Sequence, residues 1–272
     1  MRYCIFDPTG NITALATDPA NPIDQPRIAT RIMNRHPEVE QVGFVRRLGA
    51  SSPEPRVDID LRMAGGEFCG NATMCAAVYH ALRQATCPSH VCLSVSGATE
   101  PVVVRLRKKD DDVFGACVFM PPVLDVKAVR LAHGKAYDTL PVVFLEGISH
   151  VVVGSDSPLF AFLQRRESAE DAVRIWCEQL DTEGLGAMFL ERKSDAFQLT
   201  PLVYVPASKT MYWENSCASG SAAVGMYLGM QSHEPIDITL IEPGGNMRVE
   251  ADPHTGSIEL HGHVKPLGSH SL

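Results

Sequence analysis

The sequence predicts an α+β fold of two pseudo-symmetric domains, each a mixed or antiparallel β-sheet wrapped around a buried central helix. Most segments alternate apolar and polar residues with the period of a strand. Two segments differ, because small and apolar residues lie on almost every side of them, which is typical of a buried helix. Both follow one pattern, since placing Cys69 over Cys217 aligns Asn71 with Ser219. That repeat predicts the two related halves.

The first half begins with a predicted hairpin. Tyr3–Asp7 and Ile12–Thr17 alternate around Gly10 and Asn11, which favour a turn, so Asn11 has either a turn role or a functional one. Arg27–Arg35 has helical spacing of its apolar residues and ends before Pro37. The other predicted elements are the strands Val39–Leu48, Arg56–Met63, Val91–Ser96, Pro101–Leu106 and Phe114–Met120, and a solvated turn at Lys108–Asp112.

The two halves are predicted to meet at Met120-Pro121-Pro122, because proline interrupts strand pairing. A long helix is predicted from Ser157-Pro158 to about Leu180. The predicted strands are Leu140–Leu145, Ser149–Gly154, Met188–Glu191, Phe197–Val205, Thr210–Trp213, Ile236–Ile241, Met247–Ala251 and Ser257–Leu260. We therefore expect domains at residues 1–120 and 121–261, with residues from about 262 to 272 returning to the first domain.

Composition limits the classes of partner. A net charge of −8 without a basic tract argues against nucleic acid and anionic membranes as partners. The longest apolar runs, such as Leu140–Leu145, are too short to span a bilayer. The strand-like start does not resemble a signal peptide, so we expect a cytoplasmic protein whose eight cysteines are reduced. A small molecule is the expected ligand, and a homodimer is left open.

Cys69 and Cys217 each open a helix of small residues, and three ordinary roles compete for them. Each could be a core thiol. Metal binding is not predicted, because neither belongs to a Cys-x-x-Cys pair and Cys69, Cys75 and His80 lack zinc-site spacing. Either could be a lone nucleophile paired with His80 or His150, although nothing in the sequence fixes that geometry.

The repeat favours a fourth role, in acid–base chemistry at carbon. A helix N-terminus favours the thiolate, so the pKa of each thiol is expected to fall. Two such thiols facing each other across a domain cleft could remove a proton from one face of a carbon and deliver one to the other face. Ser219, Gly220 and Ser221 are expected to cap the second helix, through hydroxyl groups and a permissive backbone. Free N–H groups of the first turns could then hold a carboxylate.

Over its whole length the chain resembles the diaminopimelate epimerase superfamily of cofactor-independent amino-acid racemases. The matching positions are Gly10-Asn11, Gln41, Cys69-Gly70-Asn71, Glu214, Cys217, Ser219-Gly220 and Pro243-Gly244-Gly245. Within that superfamily it is most similar to the histidine racemases of staphylopine-type metallophore synthesis. That similarity lies in Glu40–Phe44, Glu67–Met74 and Trp213–Cys217, together with Pro8-x-Gly10-Asn11.

The resemblance implies a two-domain fold, no cofactor, and a role for each matching residue. Cys69 and Cys217 would be the catalytic base and acid. Backbone N–H groups of Gly70, Asn71, Ser219 and Gly220 would hold the substrate carboxylate. Asn11 and Glu214 would contact the amino group, and Glu40 and Gln41 would line the side-chain pocket. The other cysteines would be structural, and His150 has no assigned role.

Departures from the superfamily pattern bear on the substrate. Diaminopimelate epimerases carry an arginine where this chain has Asn215, and Asn-Pro-His where it has Ile148-Ser149-His150. Histidine is therefore the first expected substrate, with diaminopimelate or another amino acid as the alternative. A second alternative is a superfamily member that binds an amino acid, or isomerises a small acid, without racemising. Such relatives usually lose one cysteine, and this chain keeps both.

Overall fold

The computed structural model describes residues 1–48, 57–110, 112–194, 196–207 and 209–272. The chain folds into two compact units, one formed by Met1–Met120 with Glu259–Leu272 and the other by Pro121–Ile258. Strands dominate both units, and each unit also contains helices, as expected of an α+β fold. The chain leaves the first unit at Pro121 and Pro122, whose nitrogens cannot donate to a strand ladder.

In the described residues before Pro121, the first unit contains seven strands and two α-helices. They are β1 (Arg2–Pro8), β2 (Thr13–Ala16), α1 (Gln25–Arg35), β3 (Gln41–Arg47), β4 (Ile59–Met63), α2 (Gly70–Ala81), β5 (His90–Val95), β6 (Val102–Asp110) and β7 (Val113–Phe119). The predicted hairpin is confirmed, because β1 and β2 pair antiparallel. The predicted helix and the other predicted strands of this half are found within a few residues of their expected ends, except that Arg56 lies outside the described residues.

Within the described part of the second unit there are eight strands and two α-helices. They are β8 (Asp125–His133), β9 (Ala136–Leu145), β10 (Ile148–Gly154), α3 (Arg166–Leu180), β11 (Leu185–Arg192), β12 (Phe197–Val205), β13 (Thr210–Trp213), α4 (Ala218–Ser232), β14 (Ile236–Glu242) and β15 (Gly245–Asp252). The last strand, β16 (Ser257–Ser271), belongs to the first unit from Glu259 onward.

The strands of the first unit close into an eight-stranded barrel. They follow the order β1-β2-β3-β4-β5-β6-β7-β16, and β16 pairs antiparallel with both β7 and β1. The pairs β2–β3 and β4–β5 are parallel. Because β16 pairs with both β7 and β1, the last strand of the chain closes the barrel against the first strand.

Helix α2 lies inside this barrel, where it contacts β1 to β7. Every residue of α2 except His80 is buried. Its small side chains explain that position, because Gly, Ala and Thr let strands approach from all sides. The prediction of a buried helix wrapped by a sheet is confirmed for this unit.

In the second unit the strands follow the order β8-β9-β10-β11-β12-β14-β15, and β13 pairs with the other end of β12. Helix α4 contacts β9, β10, β11, β14 and β15 and is buried from Ala218 to Met226. Helix α3 packs against β8, β11 and β12. Its Trp176 is fully buried and donates its Nε1–H to the Ala132 carbonyl at 2.7 Å.

Four sequence predictions are wrong in detail. The single helix predicted from Ser157 to Leu180 is a 3-10 helix, Pro158–Gln164, followed by α3, because Arg165 leaves the helical conformation at φ −134° and ψ 68°. Lys108 and Asp110 lie in β6 rather than in a turn, paired with Phe114 and Val113. Strand β8 was not predicted, because Leu131 is its one buried residue. Strand β16 continues eleven residues beyond its predicted end at Leu260, to Ser271.

Gly97 lies close to the backbone of Glu67 and Phe68, the residues that lead to Cys69. Replacing Gly97 tests whether the fold depends on this close approach. Gly97 has φ +73°, and an added Cβ would meet the Phe68 backbone nitrogen and lie 2.7 Å from the Glu67 carbonyl carbon. We expect Gly97→Ala to lower the free energy of unfolding by more than about 3 kcal/mol, because strain and a backbone clash add.

Gly256→Ala is the matched control. Gly256 has a similar φ of +76°, but an added Cβ there would meet nothing within 4 Å. Only the left-handed conformation is penalised at this site, at about 1–2 kcal/mol. Urea unfolding followed by circular dichroism compares the two variants. Equal losses of stability would contradict the role given to the Gly97 contact.

Candidate active site

Cys69 occupies the N-cap position of α2, where its backbone is extended at φ −136° and ψ 111°. Its Sγ accepts a hydrogen bond from the Ala72 N–H at 3.4 Å, so the cysteine itself caps the helix. Thr73 adds to this turn, because its hydroxyl donates to the Cys69 carbonyl at 2.7 Å. The thiol is therefore held at the positive end of a buried helix dipole.

A chain of hydrogen bonds links four of the residues singled out in the sequence. The Cys69 thiol donates to Gln41 Oε1 at 3.0 Å. Gln41 Nε2 in turn donates to Asn11 Oδ1 at 2.5 Å and to the Thr13 hydroxyl at 2.9 Å. Asn11 Nδ2 donates to Glu40 Oε2 at 3.0 Å. With 1% exposure, Asn11 is more than a turn residue, because it connects Glu40 to the thiol through Gln41.

Gly70 and Asn71 are the first two residues of α2, and both are buried. The N–H groups of a first helical turn have no acceptor within their own helix. Gly70 and Asn71 therefore lie beside Cys69 in the part of the helix that suits an anion.

Cys217 occupies the same position in the second unit, as N-cap of α4 at φ −130° and ψ 102°. It is 4% exposed. The prediction that Ser219, Gly220 and Ser221 cap this helix is wrong, because the helix starts at Ala218 and all three residues lie within it. The Ser221 N–H already donates to the Cys217 carbonyl at 2.8 Å, which makes the cysteine the cap residue.

Ser219 and Gly220 lie in the first turn of α4 and are buried. Ser219 Oγ is 3.7 Å from Cys217 Sγ and 3.0 Å from His150 Nε2. Gly220 is packed so closely that an added Cβ would meet Met188 Sδ and lie 3.2 Å from Cys217 Sγ. Glycine at this position therefore leaves room for the thiol.

The expectation that the helix terminus lowers the pKa of the thiol is wrong for Cys217. Burial raises its pKa well above the ordinary value, and the neighbouring Glu214 and Glu242 raise it further. The Gly220 N–H acts in the opposite direction without overcoming them. Cys217 therefore carries its proton in the substrate-free protein, which is the state of an acid.

Glu214 lies half-buried between β13 and α4, and its N–H donates to the Pro201 carbonyl at 3.1 Å. A side-chain hydrogen bond joins Glu214 to Cys217. The next residue, Asn215, is exposed, and its carbonyl accepts from the Gly244 N–H at 2.8 Å. The Pro243-Gly244-Gly245 turn thus holds the loop that carries Glu214.

Glu242 is a residue that the sequence prediction missed. It is 4% exposed, and its carboxyl group accepts the Cys217 N–H at 2.7 Å and the Ser221 hydroxyl at 2.5 Å. Burial raises the pKa of Glu242 to about 8. One signal in the sequence could have found it, since it directly precedes the Pro243-Gly244-Gly245 motif.

His150, which the sequence left without a role, is fully buried in β10 and is the partner of Ser219. Burial lowers the pKa of His150 to about 3, so the ring is neutral at working pH. Gly186 makes room for it, because a Cβ there would lie 2.9 Å from His150 Cε1. The ring supports the first turn of α4 without adding a charge.

Among the described residues, Cys117, Glu259 and His261 bring potential metal-ligand atoms within 4.8 Å of one another. A cation is already present there, because Arg105 forms an ion pair with Glu259 and lies 3.4 Å from Cys117 Sγ. A metal ion would have to displace this guanidinium. We therefore assign these side chains to the Arg105 ion pair.

None of the helices in the described ranges is long and apolar enough to span a membrane.

In each unit, the candidate site consists of a cysteine at the N-cap of a buried helix with polar partners around it. Such a thiol can take part in proton transfer next to a bound anion.

Comparison with known proteins identifies relatives of the chain. The family profile of the histidine racemase CntK N-terminal domain matches residues 1–266. A histidine racemase from Staphylococcus aureus is 28% identical over 258 residues, covering 92% of this chain and 88% of the relative. A histidine racemase from Fusobacterium nucleatum subsp. nucleatum is 29% identical over 253 residues, covering 90% of this chain and 87% of the relative.

Solved structures give the fold. A hydroxyproline epimerase from Agrobacterium vitis superposes with a TM-score of 0.70 at 13% sequence identity, covering 100% of this chain and 90% of that one. At this level of identity the likeness concerns the fold alone.

Proposed function

Because the chain belongs to the histidine racemase family, we propose that it interconverts L- and D-histidine by a two-base mechanism in which Cys69 and Cys217 are the acid and base. The chain is an isomerase that acts on an amino acid. The single observation that carries the assignment of the thiols is their common placement, each at the N-cap of a buried helix.

Inversion at Cα requires one group that removes the proton and another that delivers a proton to the opposite face. A thiol is suited to both roles, because its ordinary pKa lies near working pH. The raised pKa of Cys217 favours its role as acid in the resting protein. Cys69, whose thiol is hydrogen-bonded to Gln41, is then the base for one enantiomer. The two cysteines exchange these roles for the other enantiomer.

The negative charge that forms as the Cα proton leaves spreads onto the carboxylate of the substrate. We propose that N–H groups of Gly70, Asn71, Ser219 and Gly220 bind this carboxylate. Helix N-termini stabilise such charge through fixed dipoles, without a cofactor acting as electron sink. Asn11 and Glu214 are proposed contacts of the amino group.

Glu40 and Gln41 are proposed to line the side-chain pocket. Glu40 is half-buried and is joined to Asn11, so it is held beside the Cys69 network rather than extended into solvent. A carboxylate at this position can accept a hydrogen bond from a protonated imidazole. This contact favours histidine over amino acids without a cationic ring.

We also propose that the two halves are pseudo-symmetric repeats. The similar N-cap angles of Cys69 and Cys217 support this relation, as do the two buried small-residue helices. The proposed domains are residues 1–120, joined by residues from about 262 to 272, and residues 121–261. The division of contacts after Met120 and again before Glu259 supports these boundaries. A reducing, cytoplasmic setting is proposed because proton transfer needs both thiols free.

The thiols are tested by replacing each one separately. We expect Cys69→Ala and Cys217→Ala to lower racemisation of L-histidine by roughly 10²–10⁴-fold, because each removes a positioned acid or base. Polarimetry or chiral chromatography measures the rate. Cys177→Ala, at another buried cysteine of the second unit, is the control and should retain activity. Either catalytic variant keeping more than about a hundredth of the wild-type rate would sink the two-base assignment.

The substrate is tested at Glu40. We expect Glu40→Gln to lower kcat/KM for histidine by roughly 10–100-fold, the equivalent of a charge-assisted hydrogen bond of about 1.5–3 kcal/mol. Turnover of alanine, however slow, should change less. Glu38→Gln is the matched control, since Glu38 is a nearby exposed carboxylate paired with His36. Faster turnover of diaminopimelate than of histidine by the wild type would refute the substrate assignment.

A further inference from the structure

The carboxyl group of Glu242 contacts the first turn of α4 but takes no part in the chemistry proposed above. We propose that Glu242 is a positioning residue for Cys217, which fixes the start of α4 through the Cys217 N–H and the Ser221 hydroxyl and whose charge controls how readily the thiol loses its proton. This role deepens the proposed function and rests on it.

The positioning role follows from where the two oxygens of Glu242 bind. Oε2 accepts the Cys217 N–H at 2.7 Å, and Oε1 accepts the Ser221 hydroxyl at 2.5 Å. Both donors belong to the same turn, so one carboxyl group spans the N-cap and the fourth residue of α4. The Gly244 N–H, two residues further along, holds the Asn215 carbonyl at 2.8 Å. The end of β14 and the turn after it thus hold both sides of Cys217.

The effect of charge follows from the surroundings of the Glu242 carboxyl group, which is buried with no cation paired to it among the described residues. Glu242 is fully enclosed, and none of the lysines and arginines in the described ranges forms an ion pair with it. Burial raises the pKa of Glu242 to about 8, and the Ser221 and Cys217 donors only partly oppose this effect. The carboxyl group is therefore mostly protonated at neutral pH and becomes an anion above about pH 8.

Three titratable groups act on Cys217 from the elements around it. Glu214 precedes α4, Glu242 ends β14, and His150 of β10 reaches the turn through Ser219. His150 stays neutral, because burial lowers its pKa to about 3. Met188 of β11 contacts the turn without a charge. Glu214 and, once it ionises above about pH 8, Glu242 are thus the charges that oppose a thiolate at Cys217.

The direction of the pH effect follows from these charges. A Glu242 anion makes a second negative charge at Cys217 less favourable, so the thiol keeps its proton to higher pH. A two-base racemase needs one protonated thiol. The alkaline limb of the pH–rate profile should therefore lie at higher pH when residue 242 carries a charge than when it does not.

Glu242→Gln removes the charge while keeping the contacts. The amide oxygen can accept the Cys217 N–H, and the amide nitrogen can donate to the Ser221 hydroxyl, which is also an acceptor. We expect the alkaline limb of kcat/KM for histidine to move to lower pH by roughly one pH unit or more. Both enantiomers must give the same profile, because their free energies are equal. Glu234→Gln, at an exposed carboxylate beyond the other end of α4, should leave the limb in place.

A second variant separates charge from geometry. Glu242→Asp keeps the charge on a shorter side chain, so kcat/KM should fall while the alkaline limb stays near its wild-type pH. A merely structural role would lower kcat/KM of Glu242→Gln by one factor at every pH. An unmoved limb in Glu242→Gln would overturn the proposal.

Alkylation of Cys217 gives a readout that does not depend on turnover. The rate of iodoacetamide labelling of the peptide that carries Cys217, followed by mass spectrometry, reports the thiolate fraction at each pH. We expect the labelling curve of Glu242→Gln to move to lower pH than that of the wild type. Coincident curves would overturn the charge effect. A moved curve combined with full racemisation by Cys217→Ala would instead refute the proposed function and leave the charge effect standing.

Discussion

The placement of a cysteine at the N-cap of a buried helix is the constraint on which this protein depends. An N-cap residue is extended while the residue after it is helical, so its side chain lies beside the unpaired N–H groups of the first turn. Both Cys69 and Cys217 have this geometry. The small residues of α2 and α4 let each helix be buried. Cys217 is buried with its helix, whereas Cys69 is half-buried.

The residues around the two thiols differ in charge. Around Cys69 the polar partners are neutral amides and hydroxyls, namely Gln41, Asn11 and Thr13, linked by hydrogen bonds to the carboxylate of Glu40. Around Cys217 they are two carboxyl groups, Glu214 and Glu242, which raise the pKa of that thiol. The two cysteines therefore share one backbone geometry but differ in the charge of their surroundings.

The sequence predicted the buried helices and the local strands because their patterns are local. It also pointed to Asn11, Glu40, Gln41 and Cys69, through short motifs that prove to be joined by hydrogen bonds. Glu242 was missed because a carboxylate at a strand end usually faces solvent, and its contacts lie 25 positions away in the chain. The sequence predicted that residues from about 262 to 272 return to the first domain but not that they form a strand. His261–Ser271 contains few apolar residues, and its pairing with β1 joins opposite ends of the chain.

The most direct test of the two-base mechanism is the fate of the Cα hydrogen in D2O. Wild-type protein is incubated with protiated L-histidine, and both enantiomers are separated at low conversion and analysed by mass spectrometry. The mechanism predicts that D-histidine carries deuterium at Cα while the recovered L-histidine keeps its hydrogen, because the two protons move through different thiols. Equal deuterium in both enantiomers from the earliest times would contradict it, since one exchanging base would then serve both faces.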